Sequence, residues 1–329
     1  MTSSVASMPN AAVLINSIPI LEAQASSEIE NIVTTADEIF RHSDDEAGAD
    51  PATRETLRYR TALRVGFEST VQRGVTAGLA ASVCSTIKGR DMRIRALPGT
   101  RIGNPDAGEV IYSPPEGRDV IIEKIGQWER FIHADDGLDP LVRMAAAHYQ
   151  FEADHPFDDG NGRTGRILNV LMLVEAGLLR LPVLYLSRYI IDTKSDYYRL
   201  LLAVTAESAW EPWVLYMLAG IEQTSLQTLA KIVAIRELQD DFSRRARSVT
   251  RGGANAEFQS VLFEQPYCRI ATVMDRCGVS RPTATTWLNV LADHGLLQPI
   301  KAGLDWLFIN SEFLQLLVRP EPIGEARRH

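Results

Sequence analysis

The chain is poor in cysteine: Cys84, Cys268 and Cys277 are the only three in 329 residues. So few and so scattered, they suit neither a disulfide framework nor a metal cluster, and they fit a reducing cytoplasm. Long apolar runs are missing as well. No stretch reaches the roughly 18 residues that a membrane helix requires, and the N-terminus lacks the basic region and apolar core of an export signal, so a cytoplasmic protein without membrane contact is expected. There is no excess of positive charge. With 34 Lys and Arg against 42 Asp and Glu, the net charge is −8, which gives no chain-wide attraction for nucleic acid, although a local basic patch stays open. What is present, 45% hydrophobic and 23% charged residues, is a globular composition. One core rarely grows past about 250–300 residues, so roughly two or three domains are expected.

One stretch concentrates the chemistry: His155-Pro156-Phe157-Asp158-Asp159-Gly160-Asn161-Gly162-Arg163-Thr164-Gly165-Arg166. Its glycines allow backbone angles closed to other residues and let main-chain amides approach a ligand. The run that follows, Ile167 to Ala176 ended by Gly177, is apolar almost all round and predicts a buried central helix. The stretch therefore delivers a helix N-terminus, where free amides and the dipole attract anions. Arg163 and Arg166 add forked donors suited to phosphate oxygens. Asp159 is suited to a Mg²⁺ ion bridging such phosphates, and His155 titrates near neutrality, so it can take a proton from a hydroxyl.

Residue by residue, this string resembles the signature of the Fic (Fic/Doc) family: His, Pro, Phe, any residue, Asp, Gly, Asn, Gly, Arg, two free positions, Arg. The resemblance implies a mainly helical Fic fold with a small β-hairpin flap, and an enzyme that transfers AMP from ATP to a Tyr, Thr or Ser hydroxyl of a target protein, releasing pyrophosphate. Gly162 separates the chain from the related kinase branch, which has a lysine there. By the same resemblance His155 is the catalytic base. Gly160, Asn161, Gly162, Arg163, Thr164, Gly165 and Arg166 bind nucleotide, with Arg166 on the γ-phosphate, and Asp159 holds the metal.

The segment from Leu21 to Phe40 has apolar residues at helical spacing and predicts one amphipathic helix. Ser26-Ser27-Glu28-Ile29-Glu30-Asn31 resembles the family's inhibitory helix, Ser or Thr, three residues, Glu, then Gly or Asn. Ser26 and Glu30 would then be inhibitory, Glu30 pairing with Arg166 and taking the guanidinium from ATP. Residues 97–115 have turn residues before a β-prone run, resembling the flap; Val110, Ile111 and Tyr112 would register an extended target by strand pairing. Asp192 opens the turn that closes over the adenine in this family, where Asn is common. Asp154 stands where an apolar residue is usual, and its charge is expected to raise the pKa of His155. His148 is expected in the core, and so are Tyr197 and Tyr198 unless they flank the base.

The domain plan is a segment 1–52 with the inhibitory helix, a catalytic core 53–237, a linker 238–255, and residues 256–329. The last has two short helices, Ile270–Cys277 and Arg281–His294, and a β-prone pair, which resembles a winged helix-turn-helix. Ser280, Arg281, Thr283, Thr285 and Thr286 would start its recognition helix. A target protein is the expected partner. A second copy of the chain and DNA are left open. Two alternatives accompany the transfer reading: Glu30-dependent removal of AMP from a modified protein, and a nucleotide-sensing DNA-binding regulator.

Overall fold

A computed structural model describes residues 12–43, 48–100, 102–104, 109–302 and 305–319. It is mainly helical, with 14 α-helices among the described residues. The first helix, α1 (Ala12–Ile29), is followed by the short α2 (Ala36–Arg41). Sequence periodicity predicts a single helix over 21–40, but the chain breaks between them. Asn31 adopts a left-handed conformation, φ 61°, and the amides of Asn31 and Ile32 fold back onto the carbonyls of Glu28 and Ser27, each at 3.0 Å. Asparagine tolerates that conformation better than most residues. Thr35 then restarts a helix, its hydroxyl accepting from the Glu38 amide. The apolar spacing ran across this turn through Val33, which is exposed.

Packing divides the chain into two compact units. One comprises Glu22–Thr34 and Asp50–Thr224; the other comprises the residues before Glu22, Thr35–Ala49 and the chain from Ser225 onward. Segment 1–52, expected as one part, is divided between the two units, with Glu22–Thr34 grouped with Asp50–Thr224.

In the first unit, α3 (Pro51–Arg73), α4 (Ala77–Lys88), a hairpin of β1 (Ile102–Asn104) and β2 (Glu109–Tyr112), α5 (Arg118–Ile132) and α6 (Pro140–Asp154) precede the central α7 (Asn161–Glu175). Helices α3, α4 and α6 all pack on α7, so Ile167, Leu168, Val170 and Leu171 are buried around its whole girth. This is the burial expected of a helix with no polar face. Gly177 in the left-handed region lets the chain turn away after it. Then come α8 (Leu186–Asp192), α9 (Lys194–Glu207) and α10 (Trp210–Val249). Trp213 of α10 donates its indole N–H to the Ala145 carbonyl and Trp128 of α5 donates to Ala147, so the two largest buried side chains also satisfy their polar atoms.

Residues 238–249, expected as the start of a linker, continue α10. Their polar composition hid a buried stripe, Ile235, Phe242 and Ala246, at helical spacing. Beyond a turn of 3₁₀ helix at Arg251–Ala254 lie α11 (Ala256–Glu264), β3 (Tyr267–Arg269), α12 (Ile270–Cys277), α13 (Arg281–Asp293), β4 (Gln298–Ala302), β5 (Asp305–Ile309) and α14 (Ser311–Val318). The strands form an antiparallel sheet in the order β3-β5-β4. Neither α11 nor β3 was read from sequence.

The end of α1 yields a stability test. Asn31→Gly should unfold with the parent, whereas Asn31→Val, forced into the left-handed region, should cost about 1–2 kcal/mol in denaturant unfolding. A Val variant as stable as the parent contradicts this account of the helix break.

Candidate active site

Helix α6 starts with the Asp139 carboxylate capping the Leu141 amide and Pro140 in the first turn. It stops at His155, which takes φ 44° and ψ 61°, a left-handed cap unusual for a residue with a side chain. Phe157 is fully buried beyond it. The Asn161 side chain closes the loop, accepting from the Phe157 amide at 2.9 Å and donating to its carbonyl at 2.7 Å. That amide group was expected on phosphate; here it holds the loop. Gly160, φ 82°, is the cap from which α7 begins, so the free amides of its first turn open beside His155.

Burial pushes the His155 pKa below its ordinary value, and the Arg95 guanidinium adds to the shift. The rise expected from Asp154 is not found. Asp154 is itself buried, which raises its own pKa, and its carboxylate faces Lys124 at 3.7 Å.

The structure brings Glu30, Ser26 and Arg166 together. Arg166, 2% exposed, donates from Nε to the Ser26 hydroxyl at 2.8 Å, and from Nη2 to the Ser26 carbonyl at 2.9 Å and Glu30 Oε1 at 2.7 Å. Burial alone would raise the Glu30 carboxyl; the Arg166 charge outweighs it and holds the pKa below the ordinary value. Two further contacts fix this end of α1. Glu22, one turn before Ser26, accepts from the Ser187 amide and hydroxyl at the start of α8. Lys194 of α9 donates to the Ile29 carbonyl at 2.7 Å, a cation at a helix C-terminus.

A second cluster lies around Arg163, which is also buried and pairs with Glu55 of α3 at 2.8 Å. Lys88 of α4 bridges Glu55 at 2.9 Å and Asp159 at 2.6 Å. Arg163 Nε and Nη1 have no hydrogen-bond partner among the described residues.

The glycines have unequal duties. A Cβ on Gly162 would lie 2.4 Å from Glu30 Oε1, and one on Gly165 would lie 2.5 Å from Glu152 Oε1. Gly162 therefore makes room for Glu30, and Gly165 makes room for Glu152 where α7 packs on α6. Thr164 is buried beside them.

Asp192 ends α8 and pairs with Arg188 at 2.8 Å. Tyr197 is buried, its hydroxyl 2.9 Å from His148 Nε2, while Tyr198 is exposed. His148 is a core residue whose pKa burial pushes down to about 3. β1 and β2 pair antiparallel, and the Tyr112 hydroxyl donates to the Ala153 carbonyl at 3.0 Å. The side chains of Val110 and Ile111 lie outside the described residues. Sequence reasoning missed Glu22, Glu55, Lys88, Arg95 and Lys194. Of these, Glu22 alone had a signal, its spacing of four from Ser26 and eight from Glu30.

Comparison with known proteins follows this geometry. Three family models match: Fic/DOC family N-terminal over residues 1–68, Fic/DOC family over 84–173, and the C-terminal domain of SoFic-like protein adenylyltransferases over 238–313. The chain belongs to the Fic/DOC family. It is 41% identical over 61 residues to protein adenylyltransferase fic-1 of Caenorhabditis elegans, covering 18% of this chain and 11% of that one. It is 28% identical over 161 residues to protein adenylyltransferase Fic of Drosophila grimshawi, covering 47% and 31%. The matched stretches thus span less than a third of these relatives. A crystal structure of a Fic family protein from Desulfovibrio desulfuricans superposes with a TM-score of 0.54 at 19% identity, covering 94% of this chain and 90% of that one, which shows a shared fold.

Glu22 and Glu152 are both buried near Arg166, and burial raises each from 4.5 to about 7. A carboxyl with a raised folded pKa stabilises the fold while protonated; that contribution is complete below its ordinary value and is lost as pH rises through the folded value. Denaturant unfolding should show the parent losing stability between pH 4.5 and pH 7 relative to the double variant Glu22→Gln with Glu152→Gln, because His148 and His155, whose pKa values burial lowers, act in the opposite sense in both proteins. An unchanged pH dependence in the double variant contradicts the assignment.

Proposed function

We propose that the protein is a protein adenylyltransferase, held inactive by Glu30, that moves AMP from ATP onto a Tyr, Thr or Ser hydroxyl of a target protein. The observation that carries this reading is the buried Arg166, gripped by Ser26 and Glu30 at the first turn of α7, one loop away from His155. The names of the relatives and of the C-terminal family model support the same activity.

The triphosphate lies along the N-terminus of α7, where free amides, Arg163 and Arg166 meet its charge. His155, kept neutral by burial, accepts the proton of the target hydroxyl. The hydroxyl oxygen attacks the α-phosphorus in line, the bond to the bridging oxygen breaks, and pyrophosphate leaves. No covalent enzyme intermediate forms, so positioning and charge carry the rate enhancement. Among the described residues no cluster of three or more His, Cys, Asp or Glu could hold a metal. A single carboxylate together with substrate phosphates suffices for Mg²⁺, and Asp159 would hold one, a reading supported by its side chain being 55% exposed. When bound, the ion would neutralise phosphate charge.

While Glu30 occupies Nη2 of Arg166, the guanidinium cannot also grip a γ-phosphate. Displacing Glu30 releases it. The hairpin β1–β2 is read as the flap that registers the target, with Asp192 near the base. The order α12, α13, β4, β5 supports reading the C-terminal part as a winged helix-turn-helix.

Labelled ATP tests the proposal. Self-labelling from the α-phosphate should rise by roughly tenfold or more in Glu30→Gly, about 1.4 kcal/mol, and His155→Ala in that background should lower it by about 10²–10⁴. No gain in Glu30→Gly, together with loss of an AMP-removing activity present in the parent, would establish the reverse reaction instead.

A further inference from the structure

Arg95 is a buried cation to which the proposed mechanism gives no role. It lies on the chain between α4 and β1, is 2% exposed, and makes no ion pair among those the structure shows. All its hydrogen bonds go to main-chain carbonyls. Its Nε donates to the His155 carbonyl at 2.7 Å, and its Nη2 to the Pro115 carbonyl at 2.5 Å and the Asp154 carbonyl at 3.4 Å. Its own amide donates to the Pro156 carbonyl at 3.0 Å.

Burying a charge is costly unless it does something a neutral side chain cannot. Here the reason lies in α6. Because His155 turns left-handed, the last carbonyls of that helix lose their intrahelical partners, and a planar fork can satisfy two of them while reaching a third group. That third group, the Pro115 carbonyl, stands three residues after β2. The Tyr112 hydroxyl ties the end of β2 to Ala153, in the same last turn of α6. The hairpin edge and His155 are thus pinned to one turn of helix at two points.

We infer that Arg95 is a positioning residue, which fixes the His155 backbone and the end of the β1–β2 hairpin in one frame and so sets where a hairpin-bound target hydroxyl meets the imidazole. This rests on the reading of the hairpin as target guide and of His155 as base. Arg95 acts on the acceptor side of the reaction and not on the nucleotide, whose anion site is built from Arg163, Arg166 and the α7 amides. Its guanidinium also belongs to the surroundings of the imidazole, together with Glu30 from α1, Asp159 from the loop and the Glu152 backbone.

The test uses the full chain carrying Glu30→Gly, with Arg95→Ala, Arg95→Lys and Tyr112→Phe added singly. Three quantities are read: affinity for a non-hydrolysable ATP analogue, AMP transfer at saturating ATP, and the NMR titration of the His155 imidazole. In Arg95→Ala the transfer rate should fall by about 10–100-fold, as small misplacements of reacting groups do, with analogue affinity within about twofold of the parent. The His155 midpoint should move up. Arg95→Lys keeps the charge without the fork, so it should restore the midpoint but not the rate. Tyr112→Phe should lower the rate and leave the midpoint in place. The inference is overturned if Arg95→Ala transfers AMP like its parent, or if it loses analogue affinity in proportion to rate. Should Arg95→Ala not fold, Arg95→Lys and Tyr112→Phe decide the matter. If Glu30→Gly shows no His155-dependent transfer at all, the functional reading fails, and the His155 titration still decides the placement of Arg95: an unmoved midpoint in Arg95→Ala sinks it.

Discussion

The catalytic unit is organised around one buried guanidinium. Arg166 is 2% exposed, and a charge removed from water must find charge and hydrogen bonds inside the protein. Ser26 and Glu30 supply them. The consequence is a choice, because the acceptors that make Arg166 tolerable occupy the N–H donors that, on the proposed function, a terminal phosphate would use. On the proposed function the carboxylate and a triphosphate would compete for one group, which in this structure is paired with the carboxylate.

Around that pair the neighbouring residues follow. Gly162 has no side chain because Glu30 fills the space where a Cβ would stand. Asn31 is left-handed because α1 must end at Glu30 and the chain must turn away at once. Glu22 and Lys194 hold the same end of α1 to α8 and α9. These are the helices on either side of Asp192, where the family resemblance puts the base, so the inhibitory helix and the expected adenine site share their supports. Across the loop, Glu55 and Lys88 form a counter-charge for Arg163 and Asp159. The charges of Arg163 and Asp159 are thereby met by protein groups.

Much of this was legible in the sequence because it is local. Twelve consecutive residues carry His155, the glycine-capped helix start and both arginines to which the proposed function gives roles, and the apolar run after them announced its burial. The pairing of Glu30 with Arg166, shown at 2.7 Å, is what the resemblance of Ser26-Ser27-Glu28-Ile29-Glu30-Asn31 to the family's inhibitory helix implies; the spacing alone did not call for it. Other parts were hidden for physical reasons. The partners of the Arg95 guanidinium lie between 20 and 60 residues away in the chain, and main-chain carbonyls leave no sequence trace. Helical periodicity ran unbroken through Ile32 and Val33, since a single left-handed residue ends a helix without disturbing the apolar spacing. The contacts that hold the loop were hidden as well: Asn161 closes it on Phe157, and Gly165 leaves room for Glu152, neither of which motif residues announce.

The central claim is that Glu30 and a terminal phosphate compete for Arg166. Calorimetric titration of ADP and of a non-hydrolysable ATP analogue into the parent, Glu30→Gly, and Glu30→Gly with Arg166→Ala measures this directly. The account predicts that Glu30→Gly increases the preference for the triphosphate over the diphosphate, and that adding Arg166→Ala abolishes the increase. An unchanged preference in Glu30→Gly would contradict it.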